Sequence, residues 1–440
     1  MFEDRGGLRL STTSERAAEQ YRLGVDAFLS ASAGVEEAFE AALAADPDFA
    51  LGHAGRARGL QARGAVPAAK EAIGQARALA AGVTPRERRH IEALSLAIDG
   101  DLTGGLALVR EHLADTPRDA LVLSLVTGVY SLVGASGRRD RDKLLRDLLD
   151  GVASAYVDDW WFLGMHGFAC TESGSPAEGR RKIERSLALR PRNANAAHAL
   201  AHVFYEEGDS LRGADFVNGW IPGYERTAQL HCHLSWHLSL FELGAGRGTR
   251  ALAVYEDSIR PGVARSAATG AVADSSAFLW RCQLWGVGPP ALPWSEIRDF
   301  ATRSFPRPST AFAEAHIIMA LAAAGDRAAV ESRLAELRRM EREGRQPAGP
   351  VVADVAEGMA AYAWGDYAEA IRLIQPVFEE IVRVGGSRAQ RDVFEQTLLS
   401  SYLRAGRVED AEGLFRRRLE GRPAVPGHLS PSSPSRRERG

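Results

Sequence analysis

The sequence predicts an all-α, right-handed α-solenoid of about eleven helical hairpins. Three observations point there. Ala and Leu dominate the chain and β-branched alternation is scarce, so helix is favoured throughout. Prolines mark inter-repeat turns at Pro47, Pro85, Pro117, Pro191 and Pro261, roughly one or two 34-residue units apart. Small residues recur where the two helices of a hairpin must approach closely, as in Gly167 with Gly179 and Ser186, and then Ala201 with Gly213.

Composition narrows the function classes. A hydrophobic share of 45% with 25% charged residues is the mix of a packed, water-soluble chain. The net charge of −3 favours neither nucleic acid nor an anionic membrane as partner. Arg138, Arg139 and Arg141, like Arg416, Arg417 and Arg418, read as solvated helix faces. Three cysteines without a CxxC pair cannot build a disulfide framework and fit a reducing compartment. The first residues, MFEDRGGLRLSTTSER, carry early acids and no apolar core, so no signal peptide is expected. No window reaches the apolar length of a membrane span. A cytoplasmic protein is the expectation.

Along the chain, residues 1–13 read as an N-terminal arm and 14–260 as a helical repeat array. The stretch 261–310 holds Gly288-Pro289-Pro290, Pro293, Pro306 and Pro308, and reads as an irregular connection that bends the array. GASGRRD near 134–140 is a second expected loop. Helical repeats resume over 311–422. The Pro, Ser and Arg-rich 423–440 reads as a disordered tail.

Counting back from Pro191 brings out a tetratricopeptide-like unit. Leu163, His166-Gly167 and Cys170 fall on its first helix, and Gly179, Ile183 and Ser186 on its second. The next unit runs Ala197, Leu200-Ala201, Phe204, then Gly213, Val217 and Trp220. In this register His198 and His202 face the concave groove. Asn195, Tyr205 and Glu206 fall toward it, as do Trp161 and Glu172 one repeat earlier. Asn195, His198, His202 and Glu206 form a polar stripe on an otherwise apolar helix, a pattern hard to explain as core.

A second i, i+4 pair, His233 and His237, follows the first after 35 residues. Each pair shares one helix face. Aligning Gly208 with Gly244 shifts the register by one residue and sets His233 and His237 at packing positions, but the segment LHCHLSWHLSLFEL permits either reading; the site therefore rests on the first pair, with His233 and His237 as candidates across the next helix. Three readings compete. The histidines are hydrogen-bonded parts of the stack; or they line a polar groove that binds a peptide, protein or small molecule; or His198, His202, His233 and His237 hold a divalent metal, with Glu206 or Glu172 adding a carboxylate. The third ranks last, because HExxH and other known metal signatures are missing, and no cofactor is expected. P-loop and GxSxG contexts are absent as well. Gly385-Gly386-Ser387 ends one helix and caps the next, where Gln390, Arg391 and Asp392 read as a buried network that would lock the last repeats onto the array.

The segments DWWFLGMHGFACTESG, NAAHALAHVFYEEGD, LHCHLSWHLSLFELG, DSSAFLWRCQLWG and GGSRAQRDVFEQTLL occur in order. Together they resemble the tetratricopeptide repeat protein 38 family from about residue 10 to 423. The resemblance implies a cytoplasmic all-helical repeat protein and supplies no activity. Many relatives carry Glu where Tyr205 stands, and Glu206 substitutes for it here. The expected function is a binding or scaffold protein with a histidine-rich concave groove. The alternative is a small-molecule enzyme using the histidines for acid-base or metal-assisted chemistry. The two differ in geometry: an enzyme needs an enclosed pocket with converging polar groups, whereas a peptide scaffold needs an open polar groove across several repeats.

Overall fold

In the computed structural model, residues 2–289 and 291–421 are described. The chain is an all-α solenoid. Among the described residues its helices form eleven successive pairs. The first three pairs are α1 (Glu15–Leu29) with α2 (Val35–Ala45), α3 (Ala50–Ala62) with α4 (Val66–Leu79), and α5 (Pro85–Asp99) with α6 (Leu102–Asp115). A one-turn α7 (Ala120–Leu123) and α8 (Arg141–Val152) flank an irregular segment. Next come α9 (Trp160–Glu172) and α10 (Pro176–Leu189), α11 (Ala194–Glu207) and α12 (Ser210–Trp220), and α13 (His231–Gly244) and α14 (Gly248–Val254), the last prolonged by a π-turn over Tyr255–Ile259. The array finishes with α15 (Ala268–Trp285) and α16 (Trp294–Ser304), α17 (Ala311–Ala323) and α18 (Arg327–Arg342), α19 (Val351–Ala363) and α20 (Tyr367–Ile374), and α21 (Arg388–Arg404) and α22 (Val408–Gly421). No helix among the described residues is long and apolar enough to cross a membrane.

Local chemistry sets the punctuation. Gly208, Gly325 and Gly365 adopt φ of 71°, 78° and 83°, a left-handed turn that stops a helix without a Cβ penalty. The aspartates that follow, Asp209, Asp326 and Asp366, each accept a backbone N–H in the first turn of the next helix. Thr84 with Glu87 and Ser387 with Gln390 close complete capping boxes. Within the α9–α10 hairpin the backbones nearly touch. A Cβ on Gly179 would lie 2.6 Å from the Gly167 carbonyl oxygen, which requires glycine on both helices.

The expected boundaries need two corrections. The 261–310 stretch is mostly helical: α15 runs unbroken for 18 residues and α16 follows. Pro289, Pro293, Pro306 and Pro308 sit in the short loops beside these helices, where they disturb no register. The irregular segment lies earlier, over 124–140, around and before the loop expected near 134–140. The N-terminal arm is not featureless either, since Phe2–Glu3 pairs antiparallel with Arg9–Leu10. Residues 422–440, including the expected tail, lie outside the described residues.

The superhelix is wound tightly enough that distant hairpins touch. The Ala194 N–H donates to the Ser30 carbonyl at 3.0 Å, and Asn195 Nδ2 donates to the Leu29 carbonyl at 2.9 Å. The Tyr224 hydroxyl donates to the Ala31 carbonyl at 2.5 Å. The 134–142 segment meets the last hairpins in the same way: Arg383 Nε donates to the Gly137 carbonyl at 2.8 Å, Arg141 donates to the Gly386 carbonyl, and Arg391 pairs with Asp142 at 2.9 Å. As a result α21 lies against α11, α15 and α19. Its first turn meets Glu172 and Glu206, two of the residues expected to face the concave groove.

Candidate functional site

α11 and α13 are the first helices of consecutive hairpins. The i, i+4 spacing places two imidazoles on one face of each, and the structure turns the two faces toward one another. Ring centroids of His198 and His202 lie 4.5 Å apart, His198 and His233 4.9 Å, His202 and His237 4.5 Å, and His233 and His237 5.0 Å. One nitrogen from each of the four comes within 4.8 Å of all the others. His198 Nε2 and His202 Nε2 are 2.9 Å apart. The second pair therefore joins the first in one cluster, with His237 fully buried.

The cluster is interior. His202 and His237 are 0% exposed, while His198 and His233 are partly covered. Phe168 closes one side with its ring edge-on to His202, and Trp236 stacks on His233. Two carboxylates stand behind the imidazoles. Asp274 on α15 accepts from His233 Nδ1 at 2.9 Å. Glu172 at the end of α9 places Oε1 3.3 Å from His202 Nδ1, close but poorly aligned.

Burial, then the mutual charge of the other histidines, holds the pKa values of His198 and His237 well below the usual imidazole range. Both are therefore neutral at pH 7. Burial pushes the Glu172 carboxyl up, but its contact with His202, the Arg391 charge and the Arg388 amide outweigh this and hold it below the usual carboxylate range. The most telling atoms belong to His237, whose Nδ1 and Nε2 are both buried with no hydrogen-bond partner. A buried polar group without a partner costs about 1–3 kcal/mol. A packing histidine normally satisfies at least one ring nitrogen, as His316 does by donating from Nδ1 to the Phe312 carbonyl at 2.8 Å.

The remaining candidates scatter. Glu206 pairs with Arg388 Nε at 2.9 Å, and the Tyr205 hydroxyl donates to Asp392, so both serve the seating of α21. Trp161 is buried in the N-terminal core, edge-on to Tyr156, and does not face a groove. Asn195 belongs to the contact with α1. For Asn195 the cause is the closing of the superhelix, which turns a groove position into an inter-turn contact. His231 touches none of the four histidines but lines a separate cleft of about 490 Å³ with Tyr224, Leu238 and Asp257. Sequence reasoning missed Asp274 and Arg388 as site residues. Asp274 had a visible signal, a lone acid in the apolar run AVADSSAFLW.

The four nitrogens fit a metal ion. A tetrahedral Zn²⁺ with Zn–N of about 2.0–2.1 Å needs nitrogens about 3.3 Å apart. Neutral imidazoles are the form that binds, and imidazole suits Zn, Cu, Fe and Ni. The Asp274 carboxylate on the far nitrogen of His233 orients that ring in the manner of the outer shell of metal centres, and Glu172 stands near the far nitrogen of His202. No family model matches the chain. Among solved structures, the tetratricopeptide domain of P58(IPK) aligns over 91% of this chain and 98% of its own, at 15% identity and a TM-score of 0.19. A superposition that loose carries no argument about fold or function.

Proposed function

We propose that this protein is a helical-repeat metalloprotein that binds one divalent transition-metal ion through His198, His202, His233 and His237. The observation that carries the proposal is the convergence of four imidazole nitrogens around the doubly unpartnered His237. Charge supports it too. A dication buried among neutral ligands needs compensation, and the Glu172 and Asp274 carboxylates supply two negative charges one bond away. Four protein ligands in a buried site are the arrangement of a structural centre rather than of an open catalytic one. On this reading the chain is a cytoplasmic binding protein of the tetratricopeptide repeat protein 38 kind, and the ion shapes its concave interior. A peptide laid past Glu172 and Glu206 is disfavoured, because the first residue of α21 already engages both.

A second reading follows from the partial exposure of His198 and His233. With one of them displaced by water, three histidines and an open position form a hydrolytic type of centre, in which the bound ion activates that water. Elemental analysis and Co²⁺ substitution test both. One ion per chain, abolished by His198→Ala with His237→Ala, supports metal binding. A stoichiometry below one tenth after Zn²⁺, Co²⁺, Ni²⁺ or Fe²⁺ loading overturns it. The Co²⁺ absorption spectrum separates four coordination from a water-bearing site.

A further inference from the structure

We infer that metal binding at the four histidines and the seating of α21 are a single linked equilibrium, with Glu172 as the shared group. The inference rests on the metal reading above. Glu172 is 4% exposed in its side chain and has two oxygens with different duties. Oε2 accepts the backbone N–H of Arg388, the first residue of α21, at 2.7 Å. Oε1 faces His202 Nδ1. The same Arg388 reaches back through Nε to Glu206 on α11, the helix that carries His198 and His202.

The coupling works through a proton. His202 and His198 approach through their Nε2 atoms, and that short contact needs one proton between them. When His202 keeps it, Nδ1 presents a lone pair to the Glu172 carboxylate, and two acceptors face each other. An ion taking both Nε2 lone pairs leaves only one tautomer for His202, with the proton on Nδ1 and directed at Glu172. The carboxylate gains a donor and is fixed in place. Its other oxygen is then held where the α21 amide must dock. Linkage makes this reciprocal: whatever seats α21 tightens the ion by the same factor.

The seating has further anchors that never touch a histidine. Arg391 pairs with Asp142 on α8 at 2.9 Å, and Arg281 Nη2 donates to the Ala389 carbonyl at 2.8 Å. Asp142 is thus a handle on the closure from the opposite side of α21.

Hydrogen exchange on the full chain, stripped with EDTA and then loaded with Zn²⁺ alone, tests the inference. Amides of 387–395 are expected to slow about tenfold or more with Zn²⁺, while α3 and α4 stay unchanged. Glu172→Gln is expected to weaken Zn²⁺ binding by about 10- to 100-fold, and Asp142→Ala by several-fold despite leaving every histidine intact. Zn²⁺ binding without a change at 387–395 overturns the linkage and leaves the metal reading standing. Absence of Zn²⁺ binding overturns both. The exchange comparison needs only the wild-type chain, so a variant that fails to fold does not blunt it.

Discussion

Replacing His237 by leucine separates a ligand from a packing residue, because the two roles predict opposite signs in metal-free protein. The side chain is fully buried and both ring nitrogens lack partners. Removing a buried, unsatisfied polar group while keeping the volume recovers about 1–3 kcal/mol. In EDTA, His237→Leu is therefore expected to be at least as stable as wild type. In zinc the order reverses. An ion that binds only the folded chain adds about 2.7 kcal/mol at one hundred times its Kd, and the variant forgoes most of that. Urea denaturation followed by circular dichroism, with EDTA and then with excess Zn²⁺, reads both differences. If His237→Leu loses several kcal/mol in EDTA and zinc shifts neither protein, the imidazole is a packing residue and the reasoning fails.

Other outcomes follow from the same structure. Asp274→Asn keeps the four ligands but weakens the acceptor behind His233, and isothermal titration should show a loss of about 10- to 100-fold in metal affinity. Gly179→Ala drives a methyl into the Gly167 carbonyl and Thr171, costing about 1–3 kcal/mol. Gly74→Ala, in the interior of α4 with nothing within 4 Å, should stabilise by about 0.5–1 kcal/mol in the same denaturation assay. His316 provides a pH test: burial, with the nearby Arg281 charge adding to it, lowers its pKa from 6.5 to about 4. The unfolded chain takes up this proton first, so the contribution of neutral His316 is complete above about pH 6.5 and lost as pH falls toward 4. His316→Phe should flatten that slope by up to about 3 kcal/mol in urea midpoints measured from pH 4 to 8.

Much of this architecture is written locally and could be read. Gly-Asp pairs such as Gly325-Asp326 stop one helix and cap the next within two residues, which is why the hairpin count was legible. The i, i+4 spacing likewise announced that each histidine pair shares a face. What could not be read is which faces meet. A shift of one residue between the repeats of α11 and α13 decides whether His237 points at His202 or away from it, and the glycines and the 35-residue echo of the pairs give different registers. Proline clusters misled around 261–310. A proline breaks a helix only when it falls inside one, and Pro289, Pro293, Pro306 and Pro308 all fall at ends. Asp274 and Arg388 lie 41 residues from His233 and 182 from Glu206. Asp274 meets His233 across neighbouring hairpins, whereas Arg388 reaches Glu206 from the last hairpin through the superhelical pitch, and nothing local marks either pairing. The same pitch turned Asn195 from the site to the end of α1.

The backbone hydrogen bond from Ala194 to Ser30 has a consequence for how the molecule comes apart. A simple solenoid behaves as a one-dimensional chain of units, fraying from its ends and tolerating the loss of terminal repeats. Here the first hairpin is stitched to the sixth, and the fourth to the last. Removing a terminal hairpin leaves the Ala194 N–H, the Asn195 amide and the Tyr224 hydroxyl, or Nη2 of the buried Arg141, without an acceptor in the middle of the array. Unfolding should therefore be a single cooperative event, with a denaturant slope set by the surface of the whole chain rather than of one or two repeats.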